Sequence, residues 1–150
     1  MGKLLIVSAC LVGVNCKYDG GNNDNNKVKE FLKDKKYVII CPEQLGGLTT
    51  PRKPSEINNI GGQEVLKGNS KVISCENKDV TKNFIEGAKE SLKIAKLFNC
   101  KKALLKEGSP SCGCNQIYDG TFNKNKIPGI GVTAALFIEN NIEVFSEKEL

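Results

Sequence analysis

Seven cysteines and no histidine occur in these 150 residues, so thiolates are the soft ligands and nucleophiles that the chain can offer. Cysteine proteases and zinc deaminases orient or ligate through imidazole, and its absence removes most Cys/His catalytic pairs and mixed zinc sites. Thiol redox chemistry or an all-sulfur metal site remains. Four cysteines lie in turn-like sequence: Ser8-Ala9-Cys10, Cys16-Lys17-Tyr18-Asp19-Gly20-Gly21, Cys41-Pro42-Glu43 and Gly108-Ser109-Pro110-Ser111-Cys112-Gly113. None has the CxxC pairing of a zinc ribbon. Iron–sulfur clusters accept thiolates from dispersed loops, and an iron without a protein thiolate is free to act as a Lewis acid. Cys75 and Cys100 read as small hydrophobic residues, since free cysteine is commonly buried and inert.

The elements that must position these thiols read as α/β. Leu4 to Ala9, Tyr37 to Cys41 and Lys102 to Leu105 are apolar runs suited to buried parallel strands, and each ends at a cysteine or glycine loop. Val28 to Lys35 predicts a short helix. Asp79 to Phe98 predicts a long one, with Phe84, Ala88, Leu92 and Ala95 near one face and Asp79 or Thr81 as its cap. Glu64 to Leu66 and Lys71 to Cys75 read as a hairpin at a sheet edge, because Gly68-Asn69 is a turn signal between β-favouring residues. Gly131 to Asn140 predicts a last helix and Ile142 to Phe145 a last strand. The expected architecture is a compact three-layer α/β/α (Rossmann-like) domain over residues 1–150, with a mostly parallel sheet and a small edge hairpin. Ligands of open parallel sheets collect beyond the carboxyl ends of strands, where Cys10 and Cys41 fall, with Cys112 on the loop after the third strand. Three distant cysteines could meet there.

Composition narrows the setting. The apolar run at Leu4 is too short for a secretory signal or a membrane span, which predicts a cytoplasmic protein with no membrane partner. Cytosolic thiols stay reduced and an odd number cannot all pair, so a disulfide framework is the weaker reading. The net charge of +5 is scattered over lysines at helix-face spacing, which argues little for nucleic acid but favours a small anionic substrate such as a nucleotide.

Longer blocks carry a family resemblance. Ser8-Ala9-Cys10-Leu11-Val12-Gly13, Cys16-Lys17-Tyr18-Asp19-Gly20, Cys41-Pro42-Glu43-Gln44-Leu45-Gly46-Gly47-Leu48, Thr50-Pro51-Arg52, Asp79-Val80-Thr81, Ser109-Pro110-Ser111-Cys112-Gly113, Ile117-Tyr118-Asp119-Gly120-Thr121-Phe122 and Gly129-Ile130-Gly131-Val132-Thr133-Ala134-Ala135 resemble the thiouracil desulfidases of bacteria and archaea. The resemblance implies a [4Fe-4S] cluster held by Cys10, Cys41 and Cys112. It also implies a non-redox removal of sulfur from thiolated uracils, including 4-thiouridine monophosphate, with Glu43 as acid/base. Cys16 is the rival ligand, and Cys114 departs from the family pattern.

Other motif residues carry weaker expectations. Ser109 either contacts substrate or caps a turn, with Pro110 stiffening the loop. Ser111, Tyr18, Asp19 and Arg52 are candidate substrate contacts, Arg52 together with Lys53 and Gly129-Ile130-Gly131 for a phosphate. Tyr18-Asp19-Gly20 and Tyr118-Asp119-Gly120 read as two similar turns. Two other functions fit the same cysteines. One is a structural or regulatory metal protein using Cys10, Cys16, Cys41 and Cys112; the other is a thiol oxidoreductase or sulfur carrier with a persulfide on Cys16 or Cys112.

Overall fold

The computed structural model of the protein describes residues 3–150. In chain order its strands are β1 (Leu5–Ser8), β2 (Tyr37–Ile40), β3 (Ser55–Ile57), β4 (Val72–Ser74), β5 (Lys102–Leu105), β6 (Gln116–Tyr118), β7 (Lys126–Pro128) and β8 (Glu143–Ser146). Its α-helices are α1 (Asn26–Leu32), α2 (Pro42–Leu45), α3 (Gly62–Leu66), α4 (Thr81–Leu97) and α5 (Val132–Glu139). Strands β1, β2, β5 and β8 form one sheet in the order β2-β1-β5-β8, with every pair parallel.

Side-chain alternation along the strands covers both faces of this sheet. Ile6, Ala103 and Leu105 pack with Ala95 of α4 and Phe137 of α5. Leu5, Val7 and Leu104 point the other way, onto Val28 and Leu32 of α1. Three layers result, as the apolar runs predict. Burying a phenylalanine contributes about 1.5–3 kcal/mol, and fully buried Phe137 and Phe84 anchor α5 and α4 in this way. Asn25, an unanticipated cap, starts α1 by accepting the amide N–H groups of Lys27 and Val28. Asp79 accepts the Thr81 N–H at the start of α4.

The predicted edge hairpin does not form. Gly62–Leu66 is helical, and β4 pairs antiparallel with β3 in a separate two-stranded sheet. The Gly68-Asn69 turn ends α3 instead, with the Asn69 N–H donated to the Glu64 carbonyl. The helix wins because Gly62 lies against the Gly131 backbone and donates its N–H to the Ile130 carbonyl at 2.7 Å, which sends Val65 fully into the core. Cys100 is buried as expected, but Cys75 is exposed. It follows β4 at a tight reversal in which the Ser74 N–H bonds to the Lys78 carbonyl, so the chain turns in solvent before the next element begins.

One close approach fixes the ends of two elements near the strand tips. A Cβ at Gly46 would collide with the Asn83 carbonyl, and one at Gly87 with the Pro42 carbonyl. Only glycine lets α2 lie backbone to backbone on α4. The Asn83 side-chain amide adds a hydrogen bond to the Gly46 carbonyl at 2.9 Å.

Candidate active site

The sheet order places its switch point at the carboxyl ends of β1 and β5, because the chain leaves β1 toward β2 and leaves β5 toward β8. A cleft of about 520 Å³ opens there, and Cys10, Cys16, Cys41, Cys112, Glu43, Arg52 and Ser109 all line it. Cys10 sits in the 3-10 turn Ala9–Val12 that follows β1, Cys41 joins β2 to α2, and Cys112 lies on the loop after β5. Among the described residues no three cysteine, aspartate or glutamate side chains gather tightly enough to hold a single metal ion. Thiolates that arrive from separate loops are a donor set that a multi-iron cluster accepts.

Each of these loops is held by named hydrogen bonds. The Cys10 carbonyl accepts the Asn23 N–H at 2.9 Å. Ser8 Oγ, at the tip of β1, accepts the Lys106 N–H at 3.0 Å and so joins the exits of β1 and β5. Ser109 Oγ accepts the N–H groups of Ser111 and Cys112, both at 3.0 Å, which is the geometry of a turn cap. Its hydroxyl proton stays available to a ligand in the cleft.

Burial and neighbours set the thiols apart. Hydrogen bonding from Cys16 lowers Cys10 against an opposing burial effect, and lowers Cys41 to about 6, with a backbone bond from Gln44 assisting. Cys16, whose single S–H proton serves whichever of the two is ionised, is raised. Burial pushes Cys112 up, although Ser8 opposes this. The Cys41 sulfur also lies 3.7 Å from the Cys16 carbonyl.

Arg52 is enclosed by the protein. Its Nε–H donates to Glu43 Oε1 at 3.0 Å, Nη2 to the Cys16 carbonyl at 2.8 Å, and Nη1 to Thr50 Oγ1 at 2.9 Å and the Thr49 carbonyl at 3.2 Å. The side chain is 8 % exposed, and that of Glu43 19 %. Glu43 occupies the first turn of α2, directly after Cys41 and Pro42.

The other candidate contacts divide. Tyr18 lines the cleft and is 41 % exposed. Asp19 does not line it, and its Oδ1 accepts the Gly21 N–H at 2.9 Å. Ser111 is also absent from the wall: it is 1 % exposed and shares a hydrogen bond with Thr133 of α5 at 2.8 Å. The two Tyr-Asp-Gly segments are equivalent turns. Asp119 Oδ1 accepts the Thr121 N–H as Asp19 does that of Gly21, and Gly20 and Gly120 both have positive φ, at 85° and 93°. Each turn presents its tyrosine to the cleft.

Sequence reasoning missed much of the far wall. Tyr118 and Lys126 come from the short β6–β7 pair, and Phe122 and Lys124 from its connection. With Lys17, Lys106 and Arg52 they give five basic side chains against Glu43, Glu56 and Glu107. Among the described residues Lys17, Arg52 and Lys106 are paired with Asp19, Glu43 and Glu147, which leaves Lys124 and Lys126 to face an anionic occupant. Two of the three cleft acids are tied up structurally. Glu56 accepts the N–H groups of Gly120 and Phe122. Glu107 Oε1 accepts those of Cys114, Asn115 and Gln116 at 2.8–3.0 Å, which outweighs its burial and lowers its pKa to about 2.

Residues 5–149 match the family described as 2-thiouracil desulfurase. The protein YbbK of Bacillus subtilis (strain 168), itself described as uncharacterized, is 45% identical over 147 residues, covering 98% of this chain and 97% of its own. A solved structure titled [4Fe-4S]-dependent thiouracil desulfidase TudS superposes with a TM-score of 0.85 at 39% identity, over 99% of this chain and 93% of that one.

Proposed function

Because the chain belongs to the 2-thiouracil desulfurase family, we propose that it replaces the sulfur of a thiolated uracil by oxygen at a [4Fe-4S] cluster held by Cys10, Cys41 and Cys112. The convergence of those three cysteines, from separate strand ends, on one cleft that also holds Glu43 carries the reading. The donor set fits the group: soft thiolates from three loops on one cleft, and no imidazole. When bound, the cluster would supply one iron without a protein thiolate, a Lewis acid for the thiocarbonyl sulfur.

The residues of this chain supply the rest. Water provides the oxygen, the C=S bond becomes C=O, sulfide leaves with both protons of that water, and no electrons are exchanged. Glu43 takes a proton from the attacking water and returns it toward the departing sulfur. Ser109, whose oxygen already caps the turn, donates its hydroxyl proton to the substrate. Tyr18 stands at the mouth as an aromatic surface for the pyrimidine ring, and the basic wall would accommodate the phosphate of a nucleotide. No helix among the described residues is long and apolar enough to cross a membrane. With seven free thiols, the cytoplasm is the compartment we assign, and the 150 residues are taken as one catalytic unit.

Anaerobic purification tests this reading. The loaded protein should carry about four irons per chain and convert thiouracil to uracil with release of sulfide. Equal turnover by iron-free protein would replace the reading with a persulfide carrier. A loaded protein that leaves thiouracil intact would make it a structural metal protein.

A further inference from the structure

Arg52 lines the cleft, carries a positive charge and follows the Thr50-Pro51 step, all of which suggest a contact for an anionic substrate. Its hydrogen bonds say otherwise. Four donations, to Glu43, the Cys16 carbonyl, Thr50 and the Thr49 carbonyl, occupy most of the five N–H groups that a guanidinium has. Its own amide N–H is donated to the Tyr18 carbonyl at 2.7 Å, so its backbone is fixed as well. Little donor capacity remains for a ligand.

We propose that Arg52 is a positioning residue that ties Glu43 to the Cys16 segment, so that the acid/base group and the cysteine wall keep one relation. The bond to the carboxylate is single. Nε holds Oε1, while Oε2 accepts no protein hydrogen bond among the described residues and stays free for water or substrate. A paired Arg–carboxylate contact would have occupied both oxygens. The planar fork is needed because three acceptors from three separate segments, Glu43 on α2, the Cys16 carbonyl and Thr50, are engaged at once. A lysine ammonium keeps the charge but cannot span them.

This inference rests on Glu43 acting in desulfuration, and its test separates the two ideas. In the iron-loaded protein, Arg52→Lys should keep the iron content and visible spectrum, leave KM for thiouracil within about 2-fold, and lower kcat about 100-fold, the scale expected for a displaced catalytic group. Melting temperatures of loaded wild type, Arg52→Lys, Glu43→Ala and the double variant supply a readout independent of turnover. The double variant should melt no lower than the worse single variant. A raised KM with unchanged kcat would make Arg52 a substrate contact and overturn the proposal. So would unchanged kcat, loss of iron in Arg52→Lys, or additive melting shifts. An inert wild type would sink the desulfurase reading alone, with the melting cycle still deciding the clamp.

Discussion

The hydroxyl oxygen of Ser109 accepts the amide N–H of Cys112 at 3.0 Å, so one side chain both faces the cleft and fixes the turn that carries a proposed ligand. Ser109→Ala removes both roles. Losing the cap should cost about 1 kcal/mol of stability. Loss of the donated proton should lower kcat/KM by roughly 10-fold or more while iron remains. Thermal melts and steady-state kinetics on the same preparation separate the two effects, and a variant with full kcat/KM would restrict Ser109 to the turn.

Single alanine substitutions sort the cysteines. Cys10→Ala, Cys41→Ala and Cys112→Ala should each lose the cluster, whereas Cys16→Ala and Cys114→Ala should keep about four irons. Cys114 has other work: its N–H is held by Glu107 and its sulfur lies 3.5 Å from the Cys112 carbonyl. Iron analysis and absorption spectra after anaerobic purification give the answer, and loss of iron in Cys16→Ala would move the ligand set.

Glu43→Gln keeps the shape of the side chain and its acceptor for Arg52 Nε, and it removes the proton-carrying group. The spectrum of the loaded protein should be unchanged while kcat falls about 10²- to 10⁴-fold, the usual range for general acid–base catalysis. Turnover equal to wild type would end the assignment.

Glu107 links stability to acid pH. Its folded pKa, about 2, lies below the ordinary 4.5, so the unfolded chain takes up the proton more readily. The stabilisation is therefore complete above about pH 4.5 and is lost as pH falls from there toward 2. Glu107→Gln should cost about 1–3 kcal/mol at neutral pH, because three backbone N–H groups lose a charged acceptor. It should also flatten the acid limb of a melting-temperature profile. An unchanged limb would assign the acid sensitivity to other carboxylates.

The layers of the fold and the three cysteines at the strand exits were legible because continuous apolar runs stop abruptly at Cys10, Cys41 and the loop before Cys112. Hydrophobic burial on both sheet faces leaves that signature in one dimension. The failed hairpin shows the limit. A Gly-Asn step closes a hairpin or ends a helix with equal local propriety, and the choice at Gly68-Asn69 was made by Gly62 meeting Gly131, a contact between distant segments. Strands β6 and β7 have three residues each, too few for a periodic pattern, so Lys124 and Lys126 were missed with them and Tyr118 was read only as part of a turn. Ser111 and Thr133 find each other across 22 positions, which no motif announces. Arg52 was visible as a charge, but what a guanidinium grasps depends on where three other segments arrive.

The glycine pair at 46 and 87 has a bearing on how the protein can vary. With α2 seated directly on α4, the proposed proton carrier takes its bearings from a helix that contributes nothing to the cleft wall. A methyl group at Gly87 would wedge the short helix outward and carry Glu43 and Cys41 with it. A substitution at a residue that lines no part of the cleft could thus silence the chemistry while leaving every functional side chain in the sequence.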